Sequence, residues 1–112
     1  MTDINNILML VFADADLAHR QHLATESYAE HQALGEFYSS VRDKVDGLAE
    51  ALVAMGQRVP ATGPAILPRL QRSFTQLQEL RVACDGVPAA ENLFDEVSAC
   101  YIAAIYKLRM TK

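Results

Sequence analysis

The stretch SYAEHQALGEFYSSVRDKVDGLAEALVAMG, residues 27–56, settles the fold class. Ser27 followed three residues later by Glu30 is the capping-box pattern that opens a helix. From there the apolar residues Leu34, Tyr38, Val41, Val45, Leu48 and Leu52 recur every three or four positions, the period of an α-helix with one buried stripe. Gly56 follows Met55 as the glycine that commonly closes a helix in left-handed backbone. A helix over about 28–55 is therefore expected.

The same period extends outward in both directions. The first helix is predicted from about Asp3 to Leu23, with Thr2 or Asp3 as its cap and Ile4, Ile7, Leu8, Val11, Ala15, Ala18 and His22 on one stripe. Off that stripe stand Met9, Leu10, Phe12 and Leu17, more apolar surface than a single core face requires, and a subunit contact would account for it. After a Pro/Gly-rich loop over 57–64, a third helix is expected from Ala65 to Ala83 through Ile66, Leu67, Leu70, Phe74, Leu77 and Leu80. The turn Asp85-Gly86-Val87-Pro88 leads to a fourth helix, Ala89 to Met110, through Leu93, Phe94, Val97, Tyr101, Ile105 and Leu108. No strand-like alternation occurs. Four amphipathic helices joined mostly by short connections predict an all-α, antiparallel four-helix bundle in one domain.

Composition narrows the function. The 112 residues are 51% hydrophobic and 21% charged, with ten basic and fourteen acidic side chains and a net charge of −4. The basic residues are scattered, which argues against neutralising a nucleic-acid backbone. The longest apolar run, Ile7 to Ala13, is well short of the roughly 20 residues that cross a bilayer, so no membrane span is expected. Cys84 and Cys100 are placed as buried apolar residues roughly 20 Å apart, beyond disulfide reach. A reducing, cytoplasmic setting fits them.

All three histidines, His19, His22 and His31, lie in one window of the chain, and Asp46 and Glu50 follow one helical turn apart. Imidazole and carboxylate together suit iron, zinc or manganese. With His31 at zero on a helical wheel, Asp46 lies near 60° and Glu50 near 100°, on the same flank of the stripe, but a rise of about 22 Å separates His31 from Asp46. One ion cannot reach both within a straight helix, so the ligands must come from two helices or two subunits. The third and fourth helices contain no histidine, which excludes a complete intrachain di-iron site of the usual bundle type. An isologous homodimer would let one subunit's histidines meet the other's carboxylates.

His19, His31 twelve residues on, Asp46 fifteen further and Glu50 four beyond that resemble the ferroxidase ligand pattern of the DNA-protection-during-starvation proteins (Dps), a ferritin-like branch. Leu34 to Tyr38, Val45-Asp46-Gly47-Leu48-Ala49-Glu50 and Met55-Gly56 also look like that family's second helix. The resemblance covers about residues 15–57. It implies a ferritin-like fold, a homodimer or larger homo-oligomer, and iron oxidised between subunits by histidines of one copy and the Asp/Glu pair of another. His22-Leu23 is the alternative match for the first histidine: spacing favours His19, helical phase His22. Gly35 stands where that family carries a further carboxylate, and Arg20 where it carries an aromatic residue. The rival expectation is a non-enzymatic helical interaction module of the same fold that has lost the metal centre.

Overall fold

A computed structural model describes residues 4–111; the cap expected from Thr2 or Asp3 lies outside them. The described residues form four α-helices, α1 (Ile4–Ala24), α2 (Tyr28–Ala54), α3 (Ile66–Leu80) and α4 (Pro88–Arg109). A 3-10 turn, Arg81–Cys84, follows α3, and no strand is present among the described residues. The chain divides into two compact units, Met1–Ala61 and Thr62–Lys112.

The first unit is a helical hairpin. Ser27 caps α2 as its sequence predicts, its hydroxyl accepting the amide proton of Glu30 at 3.2 Å. The reciprocal arm of the box is replaced: the Ser27 amide donates to Thr25 Oγ1 at 3.1 Å, within the short link. At the other end, Gly56 with φ of +104° donates to Val53 and the Gln57 amide donates to Leu52. These two bonds satisfy carbonyls that the helix end leaves unpaired. Ile4 and Leu8 pack with Val45 near the open end of the hairpin, joined by Ile7, Val11, Ala49 and Leu52. Residues near the start of α1 thus meet residues near the end of α2, the mark of an antiparallel pair. The α1 stripe is buried or half-buried at every position read from the sequence, whereas Leu48 on α2 is exposed and the neighbouring Ala49 takes the core position. Met9, Leu10, Phe12 and Leu17 are exposed.

The second unit is also a hairpin. Its helix boundaries follow proline: Pro68 sits in the first turn of α3 and Pro88 opens α4, where a missing amide costs nothing. The helix expected to continue to Ala83 instead tightens into the 3-10 turn after Leu80. Across the hairpin, Gln78 Nε2 donates to Ser98 Oγ at 3.0 Å. The Arg81 guanidinium grips Asp95 through two bonds, 2.9 and 3.1 Å, with Glu91 at 4.0 Å. Arg81 holds the Asp95 carboxyl below the usual aspartate range.

On α4, Phe94, Tyr101, Ile105 and Leu108 of the expected stripe face inward, but Leu93 and Val97 do not. Leu93 is 63% exposed and Val97 lies outside the core too, while Ser98, one residue on, is 7% exposed. Ser98 is buried, and Phe94, Tyr101, Ile105 and Leu108 are half-buried on the same side of the helix. The Gln78–Ser98 bond makes that rotation tolerable, because the buried hydroxyl has a partner. Cys100 is exposed rather than buried, for the same reason: the rotation that brings Ser98 inward turns position 100 out. Cys84 is half-buried, and both thiols are free.

Candidate metal centre

The three histidines gather where α1 ends and α2 begins, and the link Thr25-Glu26-Ser27 brings their helices side by side. His22 and His31 interlock. The Nδ1 of His22 lies 2.5 Å from the main-chain oxygen of His31, and the Nδ1 of His31 lies 2.7 Å from the main-chain oxygen of His22. A carbonyl only accepts, so each Nδ1 is the protonated nitrogen and donates. The His22 carbonyl is one of the last four of α1, which have no partner within the helix, and the His31 ring supplies one. The two rings stack at 3.7 Å between centroids with planes 18° apart.

This closeness depends on Gly35. A β-carbon there would stand 2.9 Å from His22 Cε1 and 3.1 Å from its Nδ1. Glycine inside a helix costs about 1 kcal/mol relative to alanine, and its presence in an otherwise good helical pattern signals a close approach. That signal is present in the sequence, where comparison with the ferroxidase pattern shows position 35 only as a missing carboxylate. The position holds no carboxylate, and its free space is filled by the His22 ring.

Tyr38, one turn beyond Leu34, joins the group. The His19 ring stacks on it at 4.0 Å with planes 12° apart, and the His22 ring meets it edge-on at 5.4 Å. His19 and His22 are 6.2 Å apart, tilted by 59°. Periodicity puts Tyr38 on the core stripe without linking it to the histidines; its three-residue offset from Gly35 on the same helix is the available clue. Arg20 is committed to Asp16, one turn back, at 2.9 Å. That bond holds the Asp16 carboxyl below its ordinary range, with a smaller contribution in the same direction from the nearby His19.

Asp46 and Glu50 are exposed on α2 and are not brought to the histidines. Among the described residues, no three histidine, cysteine, aspartate or glutamate side chains come together to hold a metal ion. The imidazoles themselves suit a borderline metal. In the tautomer set by their Nδ1 bonds, His22 and His31 each keep a lone pair on Nε2, the arrangement in which a carbonyl orients a ligating histidine.

Two helical hairpins, with an imidazole and tyrosine cluster at the junction of the first, place this chain among all-α proteins. The chain belongs to a family of unknown function (DUF5856), whose model matches residues 22–108. The match takes in His22, His31, Asp46 and Glu50. No curated protein and no solved structure matches the chain. No helix among the described residues is long and apolar enough to cross a membrane.

Proposed function

We propose that this is a ferritin-like metal-binding protein. In this reading its hairpins close into an antiparallel four-helix bundle, two copies associate through α1 and α2, and iron binds between them, with zinc or manganese as alternative ions. One observation carries the reading: both His22 and His31 have Nδ1 tied to a main-chain carbonyl, which leaves Nε2 as the donor. The exposed apolar side chains Met9, Leu10, Phe12 and Leu17 on α1 are the surface a second copy would cover. Asp46 and Glu50, exposed one turn apart, are free to serve a neighbour's ion.

His31 and one of His19 or His22 would supply nitrogen, Glu50 the main carboxylate and Asp46 a bridging or capping one. Fe(II) is then the substrate: two ions give one electron each to peroxide, which takes two protons and leaves as two waters. The carboxylates favour the Fe(III) product by charge. Metal content of the purified protein, before and after aerobic Fe(II) loading, tests this, together with Glu50→Ala. Iron near one equivalent per subunit, lost in the variant, is the expected result; less than a tenth of an equivalent after loading defeats it.

The second reading is a helical interaction module without a metal centre. It is favoured by the mutual engagement of His22 and His31 and by the His22 ring occupying the space over Gly35. A metal-free protein that still self-associates would select it.

A further inference from the structure

The second hairpin holds a groove between α3 and α4 that shares no residue with the metal-binding reading. Phe74, Ile102, Ile105 and Tyr106 wall it, with Gln71 beside them, around a volume of about 450 Å³, within the range of small-molecule sites. Phe74 and Ile105 are half-buried there, while Ile102 and Tyr106 stay exposed. Gln71 also lines a neighbouring polar groove that carries Arg72 and Thr75. Glu79, the acid lining that second groove, lies seven residues beyond Arg72, about 10 Å further along α3.

Charge is segregated along this hairpin. Residues 66–78 and 97–111, which contain the groove, carry Arg69, Arg72, Lys107 and Arg109 and no acid, while Glu79, Asp85, Glu91, Asp95 and Glu96 all fall toward the turn. None of those four cations forms an ion pair with a described residue, whereas Arg81 near the turn is bound to Asp95. Arg109 follows Ile102 by seven residues, about two helical turns, and so stands on the groove side of α4. Leu93, Val97, Cys100 and Ala104 lie about 180° from Ile102 around α4. That longer apolar side is the one a four-helix core would take.

We propose that this groove binds a medium-chain amphipathic anion, a fatty-acid-type carboxylate. Its alkyl chain lies against Phe74, Ile102 and Ile105, and its head turns toward Arg72 and Arg109. Covering the chain removes apolar surface from water on both partners, and an unpaired guanidinium matches a carboxylate in charge and geometry. The groove spans only one turn of each helix, residues 71–74 and 102–106. A docked peptide helix needs anchors spread over two turns, so a thin flexible chain is the better fit. The proposal goes beyond the metal-binding reading, because it uses none of the histidines and neither Asp46 nor Glu50.

The test is titration of the full chain with sodium decanoate below its micellar concentration, followed through the isoleucine methyl resonances. Decanol is the uncharged probe of equal length. The Ile102 and Ile105 signals are expected to shift and saturate, while those of Ile4 and Ile7, in the first hairpin, stay in place. Ile102→Asp alters an exposed side chain and so keeps the fold. It lowers decanoate affinity by about tenfold or more, the worth of one apolar side chain of this size. Arg72→Gln combined with Arg109→Gln weakens decanoate by about fivefold at low salt, the scale of an exposed ion pair, and leaves decanol unchanged. Unmoved Ile102 and Ile105 signals overturn the proposal, as do equal shifts of Ile4 and Ile7, the mark of detergent action. Decanoate affinity untouched by the double arginine variant overturns it too, since the head then has no partner. Binding to phosphatidylglycerol vesicles without binding of free decanoate overturns it in favour of a bilayer surface. A fall in the molecular mass of the protein on Ile102→Asp, read by light scattering, overturns it in favour of a subunit contact. Failure of aerobic iron loading leaves the decanoate result intact, so the two readings fail separately.

Discussion

The His22 ring occupies the space that a β-carbon on Gly35 would claim, with Cε1 only 2.9 Å from that point. An alanine at an ordinary helical position in place of glycine stabilises by about 0.5–1 kcal/mol. Gly47, on the same helix, has nothing within 4 Å of the point where its β-carbon would stand and provides the internal control. Gly47→Ala is expected to raise stability by about that amount, whereas Gly35→Ala forces the His22 ring off the His31 carbonyl and forfeits a hydrogen bond of about 1 kcal/mol. Urea denaturation of both variants checks this. Equal stabilisation by the two would show that the ring is not held where it lies.

The interlocked imidazoles should also be visible directly. At neutral to alkaline pH, long-range nitrogen–proton spectra are expected to show His22 and His31 as the Nδ1–H tautomer, the form each carbonyl demands. His31→Ala removes the donor to the end of α1 and the stacked ring together, with an expected loss of about 1–2 kcal/mol. Because His22 donates to main chain that alanine retains, its tautomer should persist in that variant. An Nε2–H signal for His22 in the wild type would count against the clasp.

Ser27 carries the start of α2. Replacing it with alanine strips the Glu30 amide of its acceptor and is expected to cost about 1 kcal/mol. The effect should be local: amide exchange near residues 28–31 accelerates, while exchange near Val45 changes only by the global loss. Uniform acceleration along α2 would contradict it.

In the second unit, Asp95 has its pKa lowered by the hydrogen bond from Arg81, so the ion pair stabilises the folded form of the acid's charged state. A depressed folded pKa means the contribution is complete above the ordinary aspartate value of 3.8 and is lost as pH falls below it. Asp95→Asn should therefore be less stable than the wild type at neutral pH, with the gap closing on acidification and narrowing in high salt. Thermal unfolding across the range from neutral pH to well below that value measures it. A gap that widens toward low pH would rule out this assignment.

Much of the secondary structure was legible from local chemistry. Ser27, Gly56 and Pro88 each act within about one helical turn, through an amide to cap, a carbonyl to satisfy or an amide that is absent, so their sequence neighbourhood suffices. The α1 stripe was legible too, because one face of that helix is apolar along its length. On α4 the apolar residues spread more widely, and several rotations bury a similar area. The folded structure takes the one that leaves Leu93 and Cys100 exposed and gives the inward Ser98 a partner in Gln78.

Sequence by itself determined that this chain is helical, where its helices begin and end apart from the close of α3, and that its histidines share one region. Tertiary structure alone decided that His22 pairs with His31, that His19 lies on Tyr38, and that Gly35 is bare to admit a ring. Those relations join residues of different helices at separations of 2.9 to 4.0 Å, and helical periodicity fixes direction around one axis without fixing what stands opposite.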